Sequence, residues 1–464
     1  MDEKRKMSRN CYSCKSDGHR AILFSVTERK PHIRWWWLLL FILVLSTCVV
    51  FFMLPFRHGE PGDDVEIPRS ELYRLRESVR KKKHAKVRVY DFAYPYDFGE
   101  IFSERKNWLM SMSQFLNAFE HAAFEVSSSA ENSLYVFDTK GLCFFGEDVQ
   151  EARVEFTPAK RSIAVIELVL YGSGNVDAHF PWSEMRRIWE HLIVRREEAT
   201  AEAGSERDYG KDGRVDIVNR AKGFPAIEYY FGYQQHEEEK EVVQAPSFIC
   251  VTMTPRPIVR WKGTEFACMS GKVRRHYNNL NPEDVAITRI PMVNQGQRGY
   301  CSVATLERIM RYYGLNVSMH EFAMLAGSKR SGGTSMEGVE RAVGDVCKKF
   351  GMKSERLAYN PFGGVYASKG AFDSFTSNLV ATIDAGLPVY WSVDHRYSTP
   401  DDVLLEDHAR LIVGYNDKTA EIVYSDTWGS QHEFKHKNVT NAWIMTKYAL
   451  KIDPRGRTDA NDSE

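Results

Sequence analysis

The chain has 464 residues, room for two or three domains. Its 62 basic and 62 acidic side chains balance, so no global field selects nucleic acid or an acidic partner. Eight scattered cysteines exclude a small disulfide-built scaffold, and 43% hydrophobic residues suit a packed protein that also carries a membrane segment.

Residues 1–34 form a polar, basic tail. Cys11-x-x-Cys14, with His19 and His32 nearby, invites a zinc reading; a pair of reduced thiols on a tail is the plainer one. Residues 35–56 run 22 positions without a charge, enough to span a hydrocarbon core, and the Trp35-Trp36-Trp37 triplet suits an interfacial belt. A cleaved signal peptide is the alternative, but the apolar run is long and lacks a small-x-small exit, so we expect an uncleaved single-pass anchor. Arg29, Lys30 and Arg34 flank it on one side, against Arg57, Glu60, Asp63 and Asp64 on the other. That bias expects a cytoplasmic N-terminus with the remainder outside. Residues 57–86 read as a charged juxtamembrane stalk. The basic run 80–88 is an exposed helix or a patch for anionic headgroups.

A separate α+β domain is expected over 87–257. A helix at 108–124 would place Leu109, Met112, Leu116, Phe119 and Ala123 on one face. Strands are expected at 134–137, 163–171, 226–231 and 248–254. A helix carrying Met185, Ile188, Trp189 and Leu192 lies between the second and third, and 197–212 reads as a polar loop. No phosphate loop or metal-ligand spacing is visible in this region. Residues 258–286 read as a connector.

The stretch 291–314, PMVNQGQRGYCSVATLERIMRYYG, is an extended approach, a turn and a helix that begins at Cys301 and stops at Gly314. Unpaired N–H groups and the macrodipole at that terminus favour a thiolate. Gln295, six residues earlier, could donate to an oxyanion formed by thiolate attack on a carbonyl, and Gln297 is the rival donor. Further helices are expected near 320–326, after a Thr334-x-x-Glu337 capping box, and at 372–385. A strand is expected at 387–393. His408 opens an apolar β-prone run, and Asp426 ends a second strand just before Trp428-Gly429. His408 is the candidate base and Asp426 its orienter, with His395 as the rival base. A last strand is expected within 441–450, then a polar tail over 454–464.

In these residues the chain resembles the papain-like cysteine peptidases: Gln-Gly, Cys six after the Gln, His-Ala-x-Leu-Ile-Val-Gly-Tyr, then acid-x-Trp-Gly. Asp rather than Asn at the third place, and the compact spacing, are closer to the bacteriocin-leader-processing, double-glycine-peptidase-like branch. The resemblance spans about 287–453. It implies a helical half and a β half with the cleft between them, with Gln295, Cys301, His408 and Asp426 in catalytic roles and Trp428 shielding the His–Asp bond. Tyr300 and Ser302 flank the nucleophile where papain has its Gly-Ser-Cys-Trp run. No transporter domain is attached in the chain. The expected activity is a membrane-anchored thiol peptidase, or a related acyl or amide hydrolase, acting on a peptide or protein substrate without metal or organic cofactor. The alternatives are a silent peptide-binding module and an envelope scaffold.

Overall fold

The computed structural model describes residues 90–455 less 127–132, 138, 158–159, 173–181, 198–204, 221–222, 239–240, 257–270, 273–279, 297–298, 329–331, 365–366, 398–406 and 430–431. The zinc reading at Cys11 and Cys14, the expected anchor at 35–56, the stalk and the rival donor Gln297 lie outside the described residues. Among the described residues no helix is long and apolar enough to cross a membrane.

The N-terminal half of the described chain is built on an eight-stranded sheet. Helix α1 (Met112–Ala118) precedes β1 (Glu125–Val126), β2 (Ser133–Phe137), β3 (Glu151–Phe156) and β4 (Ile163–Gly172). Helix α2 (Trp182–Glu197) leads to β5 (Ser205–Asp208), β6 (Arg214–Arg220), β7 (Ala226–Glu238) and β8 (Glu241–Thr254). The strand order is β1-β2-β3-β4-β8-β7-β6-β5, antiparallel throughout. Helix α1 is shorter than its periodicity suggests. Ser111 and Gln114 form a reciprocal capping box that starts it at Met112, and Leu109 is left largely exposed. Met112 and Phe119 are buried as expected, and Phe115 and Ala118 join them in place of Leu109, Leu116 and Ala123. The polar 197–212 stretch contains β5, which alternates half-buried and exposed side chains at the sheet edge. That pattern is too polar to read as a strand without its partner β6.

The C-terminal half has the helices first and the sheet after. Strands β9 (Gly271–Lys272) and β10 (Val285–Ala286) precede α3 (Cys301–Tyr312), α4 (Met319–Ala326) and α5 (Met336–Phe350). Then come β11 (Lys353–Tyr359), α6 (Lys369–Asp384), β12 (Val389–Val393), β13 (His408–Asn416), β14 (Glu421–Ser425), β15 (Lys435–Asn438), α7 (Val439–Met445) and β16 (Thr446–Asp453). The path is β9-β10-β13-β12-β16-β11, with β14 joining β13 to β15. The last expected strand is therefore α7 followed by β16. Helix α5 is capped by Ser335, whose hydroxyl accepts from Gly338 N–H, one residue beyond the expected Thr334. The end of the expected connector is a strand of this sheet: β10 lies between β9 and β13, and Asp284 is fully buried against Asn416 and His436. This close approach requires Gly414, where a Cβ would lie 2.4 Å from the Val285 carbonyl oxygen.

The described residues fall in one compact unit. Tyr209, Val215, Ile217, Tyr230 and Phe248 from the eight-stranded sheet share a single apolar cluster with Leu306, Ile309, Phe322 and Val343 of the helices. Polar contacts run alongside it. Arg207 pairs with Glu321 at 2.5 Å, the Tyr209 hydroxyl donates to Glu321 at 2.6 Å, and Arg311 pairs with Glu167 at 2.8 Å. Burying charge is tolerable here because each carboxylate meets a cation.

Candidate active site

Two elements bring the site together. Helix α3 begins at Cys301 with Tyr300 as its N-cap residue, and no side chain caps it, so the first N–H groups point toward the thiol region. Strand β13 runs behind the helix, and every one of its residues is buried. His408 and Arg410 are two apart on that strand and so share a face.

Cys301 is partly exposed and meets the His408 ring. Burial pushes its thiol up, but the hydrogen bond and charge of His408, the Ala409 backbone and the Ser302 hydroxyl outweigh this, and the thiol sits below its ordinary range. His408 moves the other way. Burial lowers it, while Asp426 and the Cys301 thiolate raise it, and the net direction is up. His408 Nε2 is 3.0 Å from Asp426 Oδ1. These opposite directions favour a thiolate–imidazolium pair.

Asp426 holds more than one partner. Arg410 Nε donates to the same Oδ1 at 3.0 Å, and Lys435 Nζ reaches Oδ2 at 2.9 Å. Despite complete burial these cations and His408 keep the carboxyl well below the usual range. Arg308, itself buried, donates to the Asp426 carbonyl at 2.8 Å and to Ser425 Oγ at 2.7 Å, fixing the end of β14. Arg410 was legible as an arginine set in an otherwise apolar strand. Lys435 and Arg308 come from distant sequence and carried no local signal.

Gln295 is buried and lies on the extended approach. Its N–H donates to the Thr427 carbonyl at 2.9 Å, and its Oε1 accepts from Thr427 Oγ1 at 2.5 Å. The amide oxygen is thus committed to Thr427, which sets the opposite, N–H-bearing end as the donor. Thr427 was not a sequence candidate. Trp428 stacks on His408 with ring centroids 4.6 Å apart. His395, the rival base, is turned to Asp407, with Nδ1 at 2.8 Å.

The remaining described cysteines are free and inert by environment. Burial pushes Cys143 to about 11, with the Asp97 charge adding to it, and pushes Cys347 to about 12. Cys250 is raised well above its ordinary value by burial, with nearby glutamates adding to it. Asp394, His395 and Asp407 could approach one cation together, but each acid already has Arg396 or Lys447.

A helix-borne cysteine facing a strand-borne histidine and acid, with a buried glutamine on the approach, defines the arrangement of a papain-like cysteine peptidase region. Residues 287–451 match the Peptidase C39 like family. No curated protein matches the chain.

Proposed function

We propose that this protein is a thiol peptidase, or a closely related acyl or amide hydrolase, held at a membrane by residues 35–56, with Cys301, His408, Asp426 and Gln295 as its working residues. The observation that carries the reading is the lowered Cys301 thiol beside a raised His408 that is 3.0 Å from Asp426. The Cys301 thiolate attacks a substrate carbonyl carbon, and the new oxyanion is held by Gln295 and the Cys301 backbone N–H. His408, having taken the thiol proton, gives it to the leaving amine as the C–N bond breaks. Water, deprotonated by His408, then releases the acid from the acyl-enzyme and returns the thiol. Asp426 keeps the imidazole in one orientation and balances its charge.

The test is hydrolysis of peptide libraries by the full chain in detergent, with labelling of Cys301 by a thiol-reactive peptide probe. Cleavage that disappears in Cys301→Ala supports the reading. Saturable peptide binding with no cleavage, and no probe incorporation, would replace it with the peptide-binding module.

A further inference from the structure

A cavity of about 100 Å³ lies behind the proposed active site, between the eight-stranded sheet and the approach to Cys301. Strands β2, β3, β4 and β8 wall one side; Met292, Val293 and Asn294, with the start of α4, wall the other. A cavity of about 150 Å³ takes up benzene, so this one suits a body of a few carbons. Much of its wall is apolar, from Phe137, Val169, Cys250, Met292 and Val293.

Its polar groups are unbalanced in one direction. His320 is 5% exposed and its Nε2 has no hydrogen-bond partner among the described residues. The same holds for Nε and Nη1 of Arg153. Glu155 pairs with Arg153 Nη2 at 2.8 Å, but the other carboxylates stand off: Glu151 is 3.8 Å from His320 Nε2, and Glu167 is 3.7 Å from Arg153 Nη1. No oxygen of the lining is similarly stranded. The Arg153 N–H groups need an acceptor, and His320 Nε2 donates to the same acceptor in its Nε2–H form. Glu151, Glu167, Glu307 and Glu321 surround the space, so a dianion would be repelled, while a single negative charge opposite Arg153 is admissible.

We propose that this cavity binds a short-chain apolar monocarboxylate, its carboxylate on Arg153 and His320 and its hydrocarbon against the apolar wall. Its occupancy bears on the approach segment, a coupling that rests on the peptidase reading. Asn294 meets the Tyr135 hydroxyl, and Phe137 lies 3.3 Å from where a Cβ on Gly296 would stand; Gln295 is between them. The His320 ring also packs edge-on against Tyr300, with centroids 6.1 Å apart, next to Cys301.

Isothermal titration of the full chain in detergent with isobutyrate, isobutyramide, isobutylamine and inorganic phosphate tests the site. Isobutyrate is expected to bind at one site and the other three to bind at least tenfold more weakly. Arg153→Lys, which keeps the charge but lacks Nε and Nη1, should weaken isobutyrate at least tenfold. Val169→Phe, which projects into the cavity from β4, should abolish binding with the thermal midpoint confirming a folded protein. Equal binding of the amide, preferential binding of the amine or phosphate, no saturable isobutyrate binding, or indifference to both substitutions would overturn the proposal. Hydrogen exchange at residues 292–296 should slow on saturation, and unchanged exchange would remove the coupling. None of these measurements needs catalysis, so an inert Cys301 leaves them interpretable.

Discussion

At the residue scale, the lowered Cys301 and raised His408 fix the pH behaviour. The ion pair exists between the two titrations: it is lost as pH falls through the thiol's lowered value and as pH rises through the histidine's raised one. Iodoacetamide labelling of Cys301 should therefore inflect below the ordinary thiol value of about 8.5, and His408→Ala should move the inflection up. An unperturbed inflection in both proteins would mean that the pair does not form. Replacing Asp426 has a second effect beyond imidazole orientation. The carboxylate is the partner of Arg410 Nε in a site with no exposure, so Asp426→Asn should destabilise the fold by roughly 3–5 kcal/mol. Because the Asp426 pKa is depressed on folding, its contribution is present above about pH 3.9 and is lost as pH falls through the lower folded value. Urea midpoints of the two proteins should accordingly converge in acid. Thr427→Val removes the donor that sets Gln295, so turnover should fall roughly tenfold, about one hydrogen bond's worth, while alkylation stays the same. The four proposed site residues stand out in the sequence because each sits in a short, patterned context. Thr427, Lys435 and Arg308 could not, since their roles come from contacts across 9 to 132 positions.

At the element scale, helices with strong caps or glycine stops were legible. Helix α3 starts at Cys301 and ends before Gly314, whose φ is +76°. Strands β4, β7 and β8 were found through β-branched and aromatic runs, although β7 and β8 extend into polar residues that only pairing keeps extended. β11 and β15 are rich in charge and were missed for the reason that hid β5: an edge strand exposes one face and hides its periodicity. Strand β2 has a consequence for the site. Phe137 supports Gly296 and Tyr135 meets Asn294, so the strand steadies the segment that carries Gln295. Phe137→Ala should lower substrate turnover more than it lowers Cys301 alkylation. Equal loss of both would indicate general unfolding instead.

At the scale of the whole molecule, one face of the eight-stranded sheet keeps a core of its own while the other shares a cluster with α3 and α4, a contact that local pattern does not reveal. The buried faces of α3 and α4 meet another sheet, yet amphipathicity records only that a face is apolar, not what covers it. A fragment starting at residue 284 would expose that face and leave Glu321 without Arg207 and Tyr209. We expect it to aggregate or unfold non-cooperatively, whereas a fragment from residue 88 should show one cooperative transition. Two separate transitions in the longer fragment would mean that the cores are independent. The proposed anchor makes a further demand: in sealed vesicles of known sidedness, protease should reach the C-terminal part from the non-cytoplasmic side only.

The division among the thiols has a practical meaning for anyone handling this protein. Of the four described cysteines, three are raised and one is lowered. A limiting, weakly electrophilic reagent at neutral pH should therefore select Cys301 from among these four, and the label found on Cys301 would count molecules in which the proposed pair is formed. Peptide mapping of the incorporated label would give an active-site titrant before any substrate is known, and with it a concentration standard against which later turnover numbers could be expressed.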